Sequence, residues 1–169
     1  MSVWATLFQP AVKMKTLSIL VVILTLSAIN ALTDYRDCGS TSGHINSIKL
    51  TPPCLHNPCD LLRGTNVSVE VDFTSKVQTS NVSTFVYGII LGLPVPFLTV
   101  PHDSCKSNNL ACPVAANSRN IYTNYVSVLP VYPLMRLLVQ WEIKDDSGNN
   151  IVCFVLPAQL TDSTGPVVG

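Results

Sequence analysis

Six cysteines follow an N-terminal segment that has the features of a secretion signal, and this combination limits the fold more than any other feature. The segment directs the chain into an oxidising compartment, where an even set of cysteines predicts disulfides. The six are Cys38, Cys54, Cys59, Cys105, Cys112 and Cys153. We therefore expect one domain that is cross-linked by three disulfides and has no free thiol.

The predicted targeting segment covers residues 1–31. Two lysines supply a positive region, residues 17–26 form a short apolar run, and Ala31 is a small residue suited to the cleavage site. Met14 is a second candidate start of translation. The apolar run is shorter than the roughly 20 residues that a membrane-spanning helix needs. Residues 32–169 are then the mature protein, a single domain with a short flexible C-terminal tail.

Apolar and polar side chains alternate along several parts of the mature chain. Residues 67–74 show this most clearly, and residues 137–144 repeat it. A period of two with one polar face predicts half-buried strands of antiparallel sheets. Further strands are predicted at residues 45–50, 85–91, 122–128 and 151–160. Short strands separated by turn residues predict an all-β sandwich or barrel.

The cysteine pairing cannot be derived from the sequence alone, because six cysteines can pair in many ways. Proximity along the chain favours two small loops, Cys54–Cys59 and Cys105–Cys112. That choice leaves Cys38 to pair with Cys153. A zinc site is the alternative, but the spacings differ from those of zinc ligands.

Catalytic and nucleic-acid-binding signatures are absent from the sequence. Neither G-x-S-x-G nor H-E-x-x-H occurs, and His44, His56 and His102 are scattered among turn-like residues. The net charge of +0 and the 12% of charged residues lack the basic excess of nucleic-acid-binding proteins. We predict a monomer that is not an enzyme, requires no cofactor or metal and binds no nucleic acid.

Residues 92–97 form an uncharged segment that contains two prolines. Proline is not compatible with a central strand, so the segment is predicted to be a loop. Its apolar residues indicate one of two roles. Gly92, Leu93 and Val95 either contact a membrane or partner, or fold back to cap the core. The composition favours neither role.

Two sequons indicate glycosylation. Asn66-Val67-Ser68 and Asn81-Val82-Ser83 both match the acceptor pattern. Asn66 lies on the polar face of a predicted strand, and Asn81 lies in a polar stretch between strands. We expect both asparagines to be accessible to modification.

The chain resembles a known family through motifs that occur in a fixed order from about residue 37 to residue 159. These are Asp37-Cys38-Gly39-Ser40, Pro53-Cys54, Pro58-Cys59, residues 88–97, Cys105-Lys106-Ser107, Cys112-Pro113, Leu129-Pro130-Val131 and residues 139–141. Together they resemble the ML (MD-2-related lipid-recognition) domain, and in particular its sterol-transfer members. Val131 is followed directly by Tyr132-Pro133, whereas vertebrate sterol-transfer members have additional residues there. In this respect the chain is similar to arthropod members.

The resemblance implies an immunoglobulin-like β-sandwich of about seven strands in two antiparallel sheets. It also implies the disulfides Cys38–Cys153, Cys54–Cys59 and Cys105–Cys112. A lipid would lie between the sheets, with Phe97, Val131, Tyr132 and Pro133 at the mouth of its pocket. Strand alternation suggests the deeper walls, which are Val69, Tyr87, Leu137, Val139 and Trp141.

The function implied is that of a secreted protein that binds and transfers a sterol or a similar apolar molecule. Intracellular cholesterol transport in the lysosome and transient contact with a membrane or membrane receptor belong to that function. The alternative is innate-immune or chemosensory binding of bacterial lipids, fatty acids or semiochemicals.

Overall fold

A computed structural model describes residues 34–162, so the predicted signal peptide and C-terminal tail lie outside the described residues. Within this range the chain forms nine strands and one short helix, and no helix is long and apolar enough to cross a membrane. The elements are β1 (Arg36–Asp37), β2 (Gly43–Thr51), β3 (Cys59–Leu62), β4 (Thr65–Ser75), β5 (Ser83–Ile90), β6 (Leu93–Pro96), α1 (Ser104–Ser107), β7 (Arg119–Val128), β8 (Arg136–Lys144) and β9 (Asn150–Thr161).

The strands form two sheets, which confirms the predicted sandwich of antiparallel sheets. The large sheet has the order β1-β9-β8-β5-β6, and β3 adds to β9 as the one parallel pair among the described strands. The small sheet has the order β2-β4-β7. The nine described strands exceed the expected seven, and three of them, β1, β3 and β6, have only two to four residues.

Alternation along the strands places the apolar faces of the two sheets against each other. In β4, Val69 and Phe73 are buried, and in β8, Val139 and Trp141 are buried. The indole ring of Trp141 is nearly parallel to the ring of Phe154, with an interplanar angle of 4°. The core therefore lies between the sheets, as the period of two predicts.

The segment after β5 differs from the predicted loop. Leu91 and Gly92 both have positive φ, at 51° and 83°, and form a tight turn into β6. Strand β6 pairs with β5 at the edge of the large sheet, where Val95 lies opposite Gly88. An edge strand tolerates Pro94 and Pro96 because one side of its backbone needs no partner strand.

All three disulfides are present in the expected pairing. Cys38 pairs with Cys153, and 115 residues of sequence separate the two. The other bridges, Cys54–Cys59 and Cys105–Cys112, close small loops. The backbone N–H of Cys38 also donates a hydrogen bond to the carbonyl of Cys153, at 2.9 Å. The long-range bridge therefore attaches the start of the described chain to the last strand.

The two sheets meet directly at one end of the sandwich. A Cβ atom at Gly43 would lie 2.3 Å from the carbonyl oxygen of Ile151, so only glycine fits between β2 and β9 here. The backbone N–H of Ser42 donates to the carbonyl of Asn150 at 2.9 Å. We call this the closed end.

A buried polar network also joins the sheets near the closed end. Thr84 of the large sheet donates to the hydroxyl of Tyr122 in the small sheet, at 2.9 Å. The amide of Asn124 donates to the same hydroxyl at 2.8 Å. Burial raises the pKa of Tyr122 to about 12, so its hydroxyl remains protonated. These bonds fix the closed end, since breaking them would leave buried polar groups without partners.

Candidate ligand-binding site

An apolar cavity lies between the sheets on the side away from the closed end. Its volume is about 30 Å³, and we call it the inner slot. Both sheets contribute, because Val69 and Val126 come from the small sheet, whereas Val139 and Leu156 come from the large one. The remaining lining residues are Leu50, Leu61, Val67, Phe97, Val128, Trp141 and Phe154.

A second cavity opens to the surface at the opposite end from Gly43, and we call it the outer pocket. Its volume is about 190 Å³. It lies between the β5–β6 hairpin and the loop of residues 129–135 that connects β7 to β8, which we call the mouth loop. Its walls are Gly88, Ile90, Val95, Pro96, Phe97, Tyr132, Pro133, Met135, Leu137 and Leu160.

Phe97 separates the two cavities, since its side chain lines both of them. The ring is partly buried and contacts the core. It meets the ring of Tyr132 edge to face, with ring centroids 6.0 Å apart and an interplanar angle of 79°. A Cβ atom at Gly88 would approach the Phe97 ring to 3.4 Å, so a larger residue at 88 would crowd the ring. Phe97 is the one residue common to the linings of the two cavities.

Neither cavity is lined by a charged side chain. The walls of the inner slot are all hydrocarbon or aromatic. An apolar molecule could therefore enter without leaving a buried charge unpaired.

Exposed apolar side chains surround the outer pocket. Leu91, at the tip of the β5–β6 turn, is 99% exposed, and Val131 of the mouth loop is 80% exposed. Leu93, Val95, Leu98 and Leu134 are exposed as well. We call these six residues the apolar rim. Residues 91–101 and 129–135, which carry it, contain no charged residue.

Most residues predicted to line the pocket border one of the two cavities. Phe97, Tyr132, Pro133 and Leu137 line the outer pocket. Val69, Val139 and Trp141 line the inner slot.

Two residues expected in the pocket lie elsewhere in the structure. Tyr87 lies on the outer face of β5, because its neighbours Val86 and Gly88 occupy the buried face. Val131 belongs to the apolar rim and lines neither cavity. Val95, expected in an exposed loop, contributes both to the rim and to the wall of the outer pocket.

Several lining residues were not identified from the sequence. Two of them, Val126 and Val128, have the parity of the buried face of β7, so the alternation could have found them. Leu156 lies in β9, where residues 151–156 are all buried and show no alternation. Leu61 could not have been found in this way, because β3 is too short to show a period and pairs with the distant β9.

Both predicted glycosylation sites are exposed, consistent with the expected accessibility of their side chains. Asn66 lies on the outer side of β4, and Asn81 precedes β5. Neither asparagine lines a cavity.

Comparisons with known proteins show what this chain is similar to. A model of the ML domain matches residues 33–160. NPC intracellular cholesterol transporter 2 from Sus scrofa is 37% identical over 141 residues, which are 83% of this chain and 93% of that protein. The ecdysteroid-regulated 16 kDa protein of Manduca sexta is 37% identical over 130 residues, which are 75% of this chain and 87% of that protein.

Among solved structures, a Niemann-Pick type C2 protein from the Japanese carpenter ant superposes with a TM-score of 0.70. It is 26% identical in sequence, and the match covers 76% of this chain and 99% of that chain. The similarity in fold therefore extends over most of the chain.

Proposed function

The chain belongs to the ML-domain family, and from this we propose that it is a lipid carrier that binds a sterol or similar apolar molecule between its sheets. Carriage would consist of extraction from one membrane, enclosure in the sandwich and release to another. The names of its relatives support this proposal, since several are called cholesterol transporters. No chemical step on the lipid is part of the function.

The observation that carries the proposal is the uncharged inner slot, which lies next to an outer pocket that opens to solvent. Most cores are filled, because close packing gains dispersion energy. Here the outer pocket opens to solvent, the inner slot reaches the side chains of Val139 and Trp141, and the two cavities share Phe97 as a wall. A core without a ligand has no need for two apolar cavities in line with each other.

The slot must widen to hold a ligand. Its volume of about 30 Å³ is well below the roughly 300–1,000 Å³ of typical ligand sites. The closed end is fixed by Gly43 against Ile151 and by the Tyr122 network. We therefore infer that the sheets separate at the mouth end while the closed end holds, and that the ligand replaces the lost contacts.

The expected affinity is sufficient for carriage. A sterol has about 28 non-hydrogen atoms, and about −0.3 kcal/mol per atom gives about −8 kcal/mol. That energy corresponds to a dissociation constant in the micromolar range. A ligand held in this range can still be released to a membrane.

Two measurements on the mature protein test the proposal. Mass spectrometry of an organic extract of the purified protein should detect a stoichiometric apolar lipid. Its identity also decides between a sterol and the fatty acids or bacterial lipids of the alternative function. Titration with dehydroergosterol, a fluorescent sterol, should quench Trp141, since the other tryptophan, Trp4, lies in the predicted signal peptide. Absence of both a lipid and quenching would contradict the proposal.

Phe97→Ala is expected to weaken sterol binding about tenfold, because the ring lines both the inner slot and the outer pocket and would lose its contacts with the sterol. The cost in stability should fall below the about 3–5 kcal/mol of a fully buried phenylalanine, since Phe97 is only partly buried. Dehydroergosterol titration and chemical denaturation measure the two effects separately.

Phe85→Ala is the matched control for Phe97→Ala. Phe85 is also partly buried, but it packs on His102 and lines neither cavity. Its truncation should lower stability and leave sterol affinity unchanged. Equal losses of affinity in both variants would show that Phe97 acts only through packing.

We also propose that the apolar rim touches the membrane during transfer. Burial of a leucine side chain stabilises the bound state by about 1.5–3 kcal/mol. Two leucines are therefore enough for transient docking and too few for permanent anchoring. Leu91 and Leu93 suit this role better than Val95, because neither lines the outer pocket.

The double variant Leu91→Asp/Leu93→Asp is expected to slow sterol transfer between liposomes by about tenfold or more, because two charges would have to be desolvated. Its equilibrium affinity for dehydroergosterol should be unchanged. Ile121→Asp, an exposed position on the small sheet, is the control and should transfer at the parent rate. Equal transfer rates for all three proteins would exclude docking through the rim.

The proposed sites of action are the extracellular space and the lysosome. Secretion would follow from the predicted signal peptide. Occupancy of Asn66 and Asn81 by glycans is part of the same proposal, and glycopeptide mass spectrometry of secreted protein measures it.

A further inference from the structure

One arginine beside the mouth joins three parts of the chain that are distant in sequence. Arg63 lies in the turn between β3 and β4. Its Nε and Nη2 atoms donate to the two carboxylate oxygens of Asp162, just after β9, at 2.7 and 2.6 Å. Its Nη1 atom donates to the backbone carbonyl of Tyr132 at 2.7 Å. The guanidinium therefore connects the end of β9 to the mouth loop.

The position of the guanidinium is fixed from several directions. The backbone N–H of Arg63 donates to the carbonyl of Thr161 at 2.9 Å. The arginine side chain is only 22% exposed, and its contact with Asp162 is bidentate. The same contact holds the pKa of the Asp162 carboxyl below its ordinary value, so the pair remains charged at neutral pH. A planar bidentate pair of this kind has well-defined geometry.

The bond to Tyr132 holds the centre of the mouth loop. The ends of the loop are attached elsewhere, because the carbonyl of Val128 accepts from Gly64 and the carbonyl of Met135 accepts from Leu160. Between these points, Tyr132 bonds within its own turn to Leu129. Its carbonyl accepts the bond from Arg63, which attaches this turn to the body of the sandwich through a hydrogen bond, in addition to the packing of the Tyr132 ring.

Tyr132 is also the residue whose ring meets Phe97 across the mouth. Movement of the Tyr132 backbone would withdraw its ring from Phe97 and from the wall of the outer pocket. The Arg63 bond thus opposes the displacement that a ligand must cause in order to pass Phe97.

We propose that Arg63, held by Asp162, latches Tyr132 against Phe97 and so sets the rate at which ligand enters and leaves. This inference rests on the proposed function. A latch of this kind changes the rate of ligand entry and the rate of ligand exit by the same factor, because it alters the fraction of time that the outer pocket is open to the inner slot. Affinity depends instead on the inner slot, which Arg63 does not line.

Arg63→Gln tests the latch, with dehydroergosterol as the probe. Stopped-flow fluorescence should show association and dissociation both faster by about tenfold, with the dissociation constant unchanged within about twofold. Arg119→Gln is the matched control, since Arg119 forms a similar bidentate contact with Asp72 on the small sheet. It should exchange the probe at the parent rate.

A double-variant cycle separates a latch from general loosening. In a Tyr132→Ala background there is no ring to hold, so Arg63→Gln should cause no further acceleration. An equal acceleration in both backgrounds would overturn the latch, as would unchanged rates for Arg63→Gln alone. Failure of the parent protein to bind the probe would instead contradict the proposed function.

Discussion

Val139→Phe is expected to abolish sterol binding while leaving the domain folded. Val139 lies on the inner face of β8 and lines the inner slot. A phenyl ring there would occupy the space between the sheets that the ligand must enter. We expect affinity for dehydroergosterol to fall by about a hundredfold or more. The ring would fill the space that the ligand occupies and would remove the ligand's contacts with the walls of the slot. Overpacking should cost about 1–3 kcal/mol of stability.

The neighbouring position supplies the control for this substitution. Leu138 has the opposite parity on β8 and is partly exposed on the outer face of the large sheet. Leu138→Phe introduces the same ring without entering the slot, so affinity should remain at the parent value. Binding by Val139→Phe at parental affinity would place the ligand outside the space between the sheets.

Removal of the long-range disulfide is expected to give the largest loss of stability. The bridge Cys38–Cys153 joins residues separated by 115 positions, and chain entropy alone gives it about 5 kcal/mol. Replacement of both cysteines by serine should reduce the free energy of unfolding by that amount. Urea denaturation followed by circular dichroism measures the change.

The small bridge Cys54–Cys59 provides an internal comparison. Its separation of 5 residues predicts a loss of only about 2 kcal/mol when both cysteines become serine. The ratio of the two losses tests the entropic explanation. Equal losses would indicate that local contacts at each bridge, and not loop length, determine its contribution.

The sandwich was predictable because its strands expose one face and bury the other. The alternation in residues 67–74 and 137–144 identified β4 and β8 and their buried faces directly. The disulfides followed from proximity along the chain and from the resemblance. Strand alternation, cysteine spacing and family motifs can all be recognised in the sequence without knowledge of contacts between distant segments.

The mouth was less predictable because its geometry depends on contacts between distant segments. Two prolines indicated a loop at residues 92–97, but an edge position allowed β6 to form. Tyr87 is an aromatic residue of the kind that lines apolar pockets, but its position in β5 places it on the outer face of the sheet. The bond from Arg63 to Tyr132 connects residues 69 positions apart, and no periodic pattern reports such a contact.

The position of the ligand is the central claim, and intermolecular NOEs between a bound sterol and methyl-labelled protein test it most directly. We predict NOEs to the methyl groups of Val69 and Val126 on the small sheet and of Val139 on the large sheet, which line opposite sides of the inner slot. Leu138 and Val155 border a shallow groove on the outer face of the large sheet. NOEs confined to these outer methyl groups, with none to the slot, would contradict the account.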